Sequence, residues 1–208
     1  MSRLPPIQTN VNALALKRSV KIGPLKLATA PRFLQVMANS PAAFRAYILA
    51  DAALLRGELT HRERQQVALA VAEINGSTYS LSALHTSGRR IGLNGHEMQS
   101  ACDAVAADPR TQVMLRFTQA VVLQRGEISD EDFQALVKAG FTNAQIVEIV
   151  ANIALNIFSN YFNSVAQTEV GSPVPNPGLE SPRVRIPHSN TRPPKLRARS
   201  PKPHRNRK

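Results

Sequence analysis

One stretch limits the fold more than any other. Residues 142–167 open on Thr142-x-x-Gln145, a capping-box pattern in which a hydroxyl and a carboxamide three residues apart satisfy each other's free amides at a helix start. Behind it Ile146, Ile149, Val150, Ile153, Ala154, Ile157, Phe158, Tyr161, Phe162 and Val165 recur at i, i+3, i+4, i+7 without a miss. That is the period of an α-helix with one apolar face, and a strand cannot carry it. The pattern predicts a long core or subunit-interface helix, with Asn152, Asn156, Asn160 and Asn163 on its other faces. A ligand pocket lined by those asparagines is the rarer use of such a helix.

The same signals recur upstream. Ser40-Pro41 reads as an N-cap followed by proline at the first helical position, and Gly57 closes that helix. Thr60-x-x-Glu63 is a second capping box, opening a helix that Asn75-Gly76 breaks. A helix then runs from Ser77 to about Arg90 with Gly92 beyond, and a shorter one from about Gly95 to Ala106. Asp108-Pro109 starts another, which Gly126 ends, and Ser129-x-x-Asp132 starts the next, which Gly140 closes. Helix formers dominate and apolar/polar alternation is rare, so the fold class is all-α. The helical domain spans 31–171, preceded by an arm over 1–30 with at most one short helix.

From Ser172 the chemistry changes. Nine of the fifteen prolines fall between Pro173 and Pro203. Ten Lys/Arg against one acid lie in 176–208, so nine of the net +12 charges belong to this segment. So few apolar residues cannot offset the entropy of ordering, and 172–208 reads as a disordered, Pro/Arg-rich basic tail. It has no Phe, Tyr or Trp on which bases could stack. That leaves weak, non-specific contact with nucleic acid or an anionic surface, or simply a solvated extension.

Cys102 is the single cysteine. It excludes an internal disulfide and any Cys-x-x-Cys pair, and it fits a reducing, cytoplasmic compartment. The opening Met-Ser-Arg-Leu-Pro-Pro has no apolar run of the secretory kind, and no stretch is long and apolar enough to predict a membrane span.

The stretch from Glu63 to Thr86 reads ERQQVALAVAEINGSTYSLSALHT. Its Ala-Val-Ala-Glu-x-Asn-Gly, followed at fixed spacing by Ser77, Tyr79 and Ser80, resembles the carboxymuconolactone decarboxylase/AhpD-like alkylhydroperoxidase superfamily. There the helix end is followed by Cys-x-Tyr-Cys and a histidine four residues after the second cysteine. Met37-Ala38-Asn39-Ser40-Pro41, Ala139-Gly140-Phe141-Thr142 and the last helix extend the likeness over about 31–171. The resemblance implies an AhpD-like helical fold, a homo-oligomer (trimer or hexamer), no cofactor, and thiol-dependent peroxide reduction. In that reaction a glutamate and a histidine pass protons, one cysteine attacks and the other resolves.

In gap-free register those positions hold Gln65, Ser77, Ser80 and Leu84. His85 stands one residue late, a rotation of about 100° on a helix. Sliding the frame to reach it spoils the match at Gly88, Gly92 and Leu93. A serine hydroxyl is barely ionised at neutral pH, reduces no peroxide and forms no disulfide. The peroxidase reaction is therefore expected to be absent, leaving a non-catalytic binding or assembly subunit. The alternative is non-redox chemistry of the lactone-decarboxylase kind in the same pocket. Ser77 is expected to cap its helix, and Leu84 to fill core.

Rival sites are thinner. Ser82 and His85 are three apart on one helix, but no nucleophile elbow or orienting acid accompanies them. His61, Glu63 and Glu73 are candidates for an acid–base site, although charges near a helix start are more often solvated. His61, His85 and His96 lack metal-ligand spacing, so no metal is expected.

Overall fold

The computed structural model describes residues 2–7 and 30–169. The chain divides into two units, Met1–Val174 and Pro175–Lys208, and only the first holds described residues. The tail over 172–208, and residues 8–29 of the arm, lie outside them. Among the described residues there are eight helices and no strand. They are α1 (Arg32–Met37), α2 (Pro41–Leu54), α3 (His61–Ile74), α4 (Thr78–Arg90), α5 (Gly95–Cys102), α6 (Pro109–Leu123), α7 (Asp130–Lys138) and α8 (Asn143–Ala166).

The boundaries follow the local chemistry. Ser40 accepts the Ala43 amide at 3.3 Å, with Pro41 in the first turn. Both capping boxes close: Thr60 with Glu63, and Thr142 with Gln145. A third, Asn94 with Glu97, starts α5. Asp108 and Ser129 accept the amides of Thr111 and Asp132. The α5 helix stops at Cys102 rather than Ala106, because Ala104 turns into the left-handed region (φ 55°). Its Val105 amide reaches back to the Ser100 carbonyl at 2.8 Å, the bond that closes a helix C-terminus. Nothing in an alanine announces such a turn.

Helix α3 is the hub. Val67, Ala68, Leu69, Ala70, Val71 and Ala72 are all buried, so the helix is covered on every side. One core joins α3 to α6, α7 and α8 through Val67, Val71, Met114, Phe117, Leu136 and Ile149. A second joins its opposite face to α5 and α6 through Leu69, Ala70, Met98, Ala101 and Leu115. A third, around Met37 and Phe44, lies under α1 and α2 against Phe162. Residues 2–7 join the body: the Arg3 amide donates to the Ala166 carbonyl (2.7 Å) and the Ile7 amide to the Gln35 carbonyl (3.1 Å).

The last helix departs from its sequence pattern. Ile146, Ile149 and Ile153 are core, but Val147, Val150, Phe158, Tyr161 and Val165 are exposed while Asn152, Asn160 and Asn163 are buried. The C-terminal half of α8 turns a polar edge inward, where it meets polar groups of α4. Among the described residues no helix is long and apolar enough to cross a membrane.

Candidate functional site

Gly76 (φ 61°) ends α3, and the chain turns at once into α4. Ser77 occupies the N-cap position, but its hydroxyl caps nothing, contrary to the capping expected of it. Ser77 Oγ instead donates to Ser80 Oγ at 2.9 Å, and both serines are buried. From α8, Asn163 Nδ2 reaches the same Ser80 oxygen at 3.5 Å. The two serines that the resemblance sets at the cysteine positions thus face each other tip to tip, one turn apart. Tyr79, between them, turns away: its hydroxyl accepts the Phe33 amide (3.1 Å), and burial pushes its pKa up.

Gln65 and Leu84 meet on the far side of α4. Gln65 Nε2 donates to the Leu84 carbonyl at 2.6 Å and to Ser87 Oγ at 2.8 Å. Both bonds need N–H, which a glutamate in the ionised form lacks. Gly88 lets Met98 close against this turn, since a Cβ there would stand 2.6 Å from Met98 Sδ. The Leu84 side chain is only half-buried. It packs against the second core and lines a cleft.

Two clefts flank this region. One, of about 210 Å³, is lined by Gln65 and Leu84 together with Tyr47, Asp51, His61 and Arg64. Arg64 is held there by Asp51 (3.2 Å) and Asn152 (3.1 Å). Burial first, then the Asp51 carboxylate, pushes the Tyr47 hydroxyl well above its ordinary pKa. The other cleft, of about 200 Å³, is lined by Ser77, Thr78, Tyr79, Asn163, Gln167 and Thr168. The four family positions are thereby divided: Gln65 and Leu84 on the first, Ser77 on the second, and Ser80 buried beside it.

The rival sites stay apart. No Ser82–His85 hydrogen bond forms, and the Ser82 carbonyl takes the Thr86 hydroxyl instead. Burial, then Arg89, lowers the His85 pKa. Glu63 pairs with Arg110 and caps α3, while Glu73, raised by burial and then by Asp103, sits at the other end of that helix. His61 lines the first cleft without either. Among the described residues no group of His, Cys, Asp and Glu is placed to hold a metal ion. Cys102 is buried on α5, and burial foremost pushes its thiol up to about 12.

The residues that sequence reasoning missed are Arg64, Asp51 and Tyr47, while Asn163 was among the asparagines weighed as pocket lining. Only the asparagines carried a signal: polar residues recurring through an otherwise apolar helix.

Residues 38–123 match the carboxymuconolactone decarboxylase family. No curated protein matches the sequence significantly. Among solved structures, the chain is similar to an uncharacterized peroxidase-related protein from Silicibacter sp. TM1040, with a TM-score of 0.69 and 21% identity over 81% of this chain and 91% of that one. It is similar to a peroxidase-related protein with an alkylhydroperoxidase AhpD core from Ralstonia eutropha JMP134, with a TM-score of 0.68 and 24% identity over 81% and 91%. A cysteine-to-alanine form of the debrominase Bmp8 in complex with 2,3,4-tribromopyrrole also superposes, with a TM-score of 0.68 and 16% identity over 83% and 95%. Residues 38–123 thus carry a likeness to the carboxymuconolactone decarboxylase family, within a body that has the AhpD-like helical fold.

Proposed function

We infer that this protein is an AhpD-like domain that has lost thiol-dependent peroxide reduction and serves as a non-catalytic binding or assembly subunit. The observation that carries this reading is the buried Ser77–Ser80 hydrogen bond. The pair keeps the approach that a thiol–disulfide cycle needs but has no sulfur to run it. Cys102 offers no substitute, because its thiol is buried and resists ionisation at neutral pH. Gln65 and Leu84 supply no proton relay, since a carboxamide and an isobutyl group do not titrate. A single protonated thiol suits a reducing, cytoplasmic setting.

Steady-state peroxide consumption with a dithiol reductant tests the loss. The rate is expected to stay at that of reductant alone. A rate that rises with protein concentration and survives alkylation of Cys102 would refute it.

A non-redox, lactone-decarboxylase-like activity is the second reading. Its support is the first cleft, which gathers His61, Arg64, Asp51 and Tyr47 around Gln65 and Leu84. Turnover of a carboxylated lactone, abolished by His61→Asn with the fold intact, would favour it over the first reading. The basic run over 176–208 is read as a weak, non-specific anion contact. Deletion of that run is expected to remove any salt-sensitive binding of nucleic acid.

A further inference from the structure

The first cleft is lined by polar side chains that are held at one end and accessible at the other. Arg64 is only 12% exposed and is pinned twice, Nε on Asn152 Oδ1 (3.1 Å) and Nη2 on Asp51 Oδ1 (3.2 Å). A guanidinium carries five N–H donors, and those on Nη1 have no partner among the described residues.

Two carboxamides share this wall. Gln65 directs Nε2 to the Leu84 carbonyl and Ser87 Oγ, and Asn156 directs Nδ2 to the Asn152 carbonyl at 2.8 Å. A carbonyl accepts only from N–H, which fixes the orientation of both groups. Their other ends, Gln65 Oε1 and Asn156 Oδ1, have no partner among the described residues. The side-chain atoms that are both unpartnered and sealed from solvent belong to Asn75, Asn160, Asn163 and Thr168, none of which lines this cleft. Arg64 Nη1 and the two oxygens are therefore within reach of a ligand.

Charge and size narrow the choice. Arg64 and Asp51 offset each other, and Asp51 is, after burial, the main cause of the raised Tyr47 pKa. A further negative charge is disfavoured by the same field. Ala68, Leu84, Ile91 and Leu155 add an apolar wall. At about 210 Å³ the cleft is smaller than the roughly 300–1,000 Å³ of sites for drug-sized ligands, so its occupant is small.

One donor group set with two acceptors is the complement of a carboxamide, whose carbonyl accepts and whose two N–H bonds donate. We propose that the first cleft binds a small, uncharged primary carboxamide with an apolar body. Its carbonyl takes Arg64 Nη1, and its N–H groups meet Gln65 Oε1 and Asn156 Oδ1. This rests on the binding reading above and gives that reading its ligand class.

Amide-resolved NMR titration of the full chain with benzamide, acetophenone and benzoate tests it. The three probes share one shape and differ only in an amino group, a methyl group or a charged oxygen. Benzamide is expected to shift the Leu84 and Ile91 signals saturably. Acetophenone, without N–H donors, and benzoate, with a charge beside Asp51, are each expected to bind about tenfold more weakly. Ile91→Trp should fold normally, since Ile91 is 40% exposed, and should block binding by filling the cleft. Asn156→Leu should narrow the preference for benzamide over acetophenone, a ratio that a purely structural role would not move. No saturable benzamide shift, equal binding of acetophenone, tighter binding of benzoate, or undiminished binding by Ile91→Trp would each overturn the assignment. Peroxide turnover by the same sample would refute the loss of peroxidase activity and leave this result standing.

Discussion

Gln65 and Ser77 illustrate how side chains outside the family's usual pattern can still fit its fold. Gln65 donates two hydrogen bonds into the Leu84–Ser87 turn, and an ionised glutamate would place a carboxylate against the Leu84 carbonyl. Gln65→Glu is therefore expected to destabilise the protein by about 1 kcal/mol at neutral pH, by exchanging two donated hydrogen bonds for a part-buried acceptor. The carbonyl raises the folded-state pKa of the new carboxyl, so its penalty is largest above that pKa and shrinks as the pH falls and the group protonates. Urea unfolding of the variant and the parent at pH 7 and at mildly acidic pH checks the sign. At this scale the sequence spoke clearly about identity and poorly about contact. The residue types at 65, 77, 80 and 84, and the place of His85 one residue beyond Leu84, were readable from the sequence. That Ser77 would bond Ser80 rather than cap α4 was not, because an N-cap serine and a paired serine look alike in a linear pattern.

Helix ends were the most legible elements. Thr60-x-x-Glu63, Ser40-Pro41, Asp108-Pro109, Ser129 and Thr142-x-x-Gln145 all start helices where their chemistry requires. The end of α5 was hidden, since Ala104 adopts a turn that alanine does not advertise. Caps also carry charge effects. Burial raises the Glu63 carboxyl, but the Thr60 amide and hydroxyl, helped by the Arg110 guanidinium, outweigh it and hold it below its usual range. A carboxyl held low in the folded state stabilises above its ordinary pKa of 4.5, and that contribution is lost as the pH falls through the lower folded value. Glu63→Gln should therefore be less stable than the parent at pH 7 and close to it in strong acid. Chemical denaturation across pH 3–7 measures the convergence.

At the scale of the molecule, α8 shows what periodicity cannot resolve. Its apolar residues were all visible, but which of them a single chain covers depends on where α2, α3 and α4 lie. Val147, Phe158, Tyr161 and Val165 stay exposed at 68%, 41%, 58% and 66% along one 24-residue helix. A row of exposed apolar side chains is characteristic of an interface. The assembly role proposed for the protein places a second copy on this row. Sedimentation of the full chain is expected to give an oligomer. Tyr161→Arg with Val165→Arg should yield folded monomers, whereas an unchanged oligomer would move the interface elsewhere. The fold class and the family resemblance were legible because caps, glycines and apolar spacing act locally. The two clefts were not, since residues distant in sequence, such as Ser77 and Thr168 or Tyr47 and Leu84, line them together.

In the proposed function the fold keeps the approach of the redox pair while the residues withhold its chemistry. A count of thiols lost per native chain after peroxide exposure, in the parent and in Ser77→Cys/Ser80→Cys, tests both halves together. The 2.9 Å Oγ–Oγ contact already brings the two side-chain tips together, and a disulfide would draw its sulfurs in to about 2.0 Å. The double variant should therefore lose two thiols as an intramolecular disulfide, while Cys102 stays reduced in both proteins. Rapid thiol loss in the parent, or a double variant whose two new thiols remain unpaired, would contradict the account.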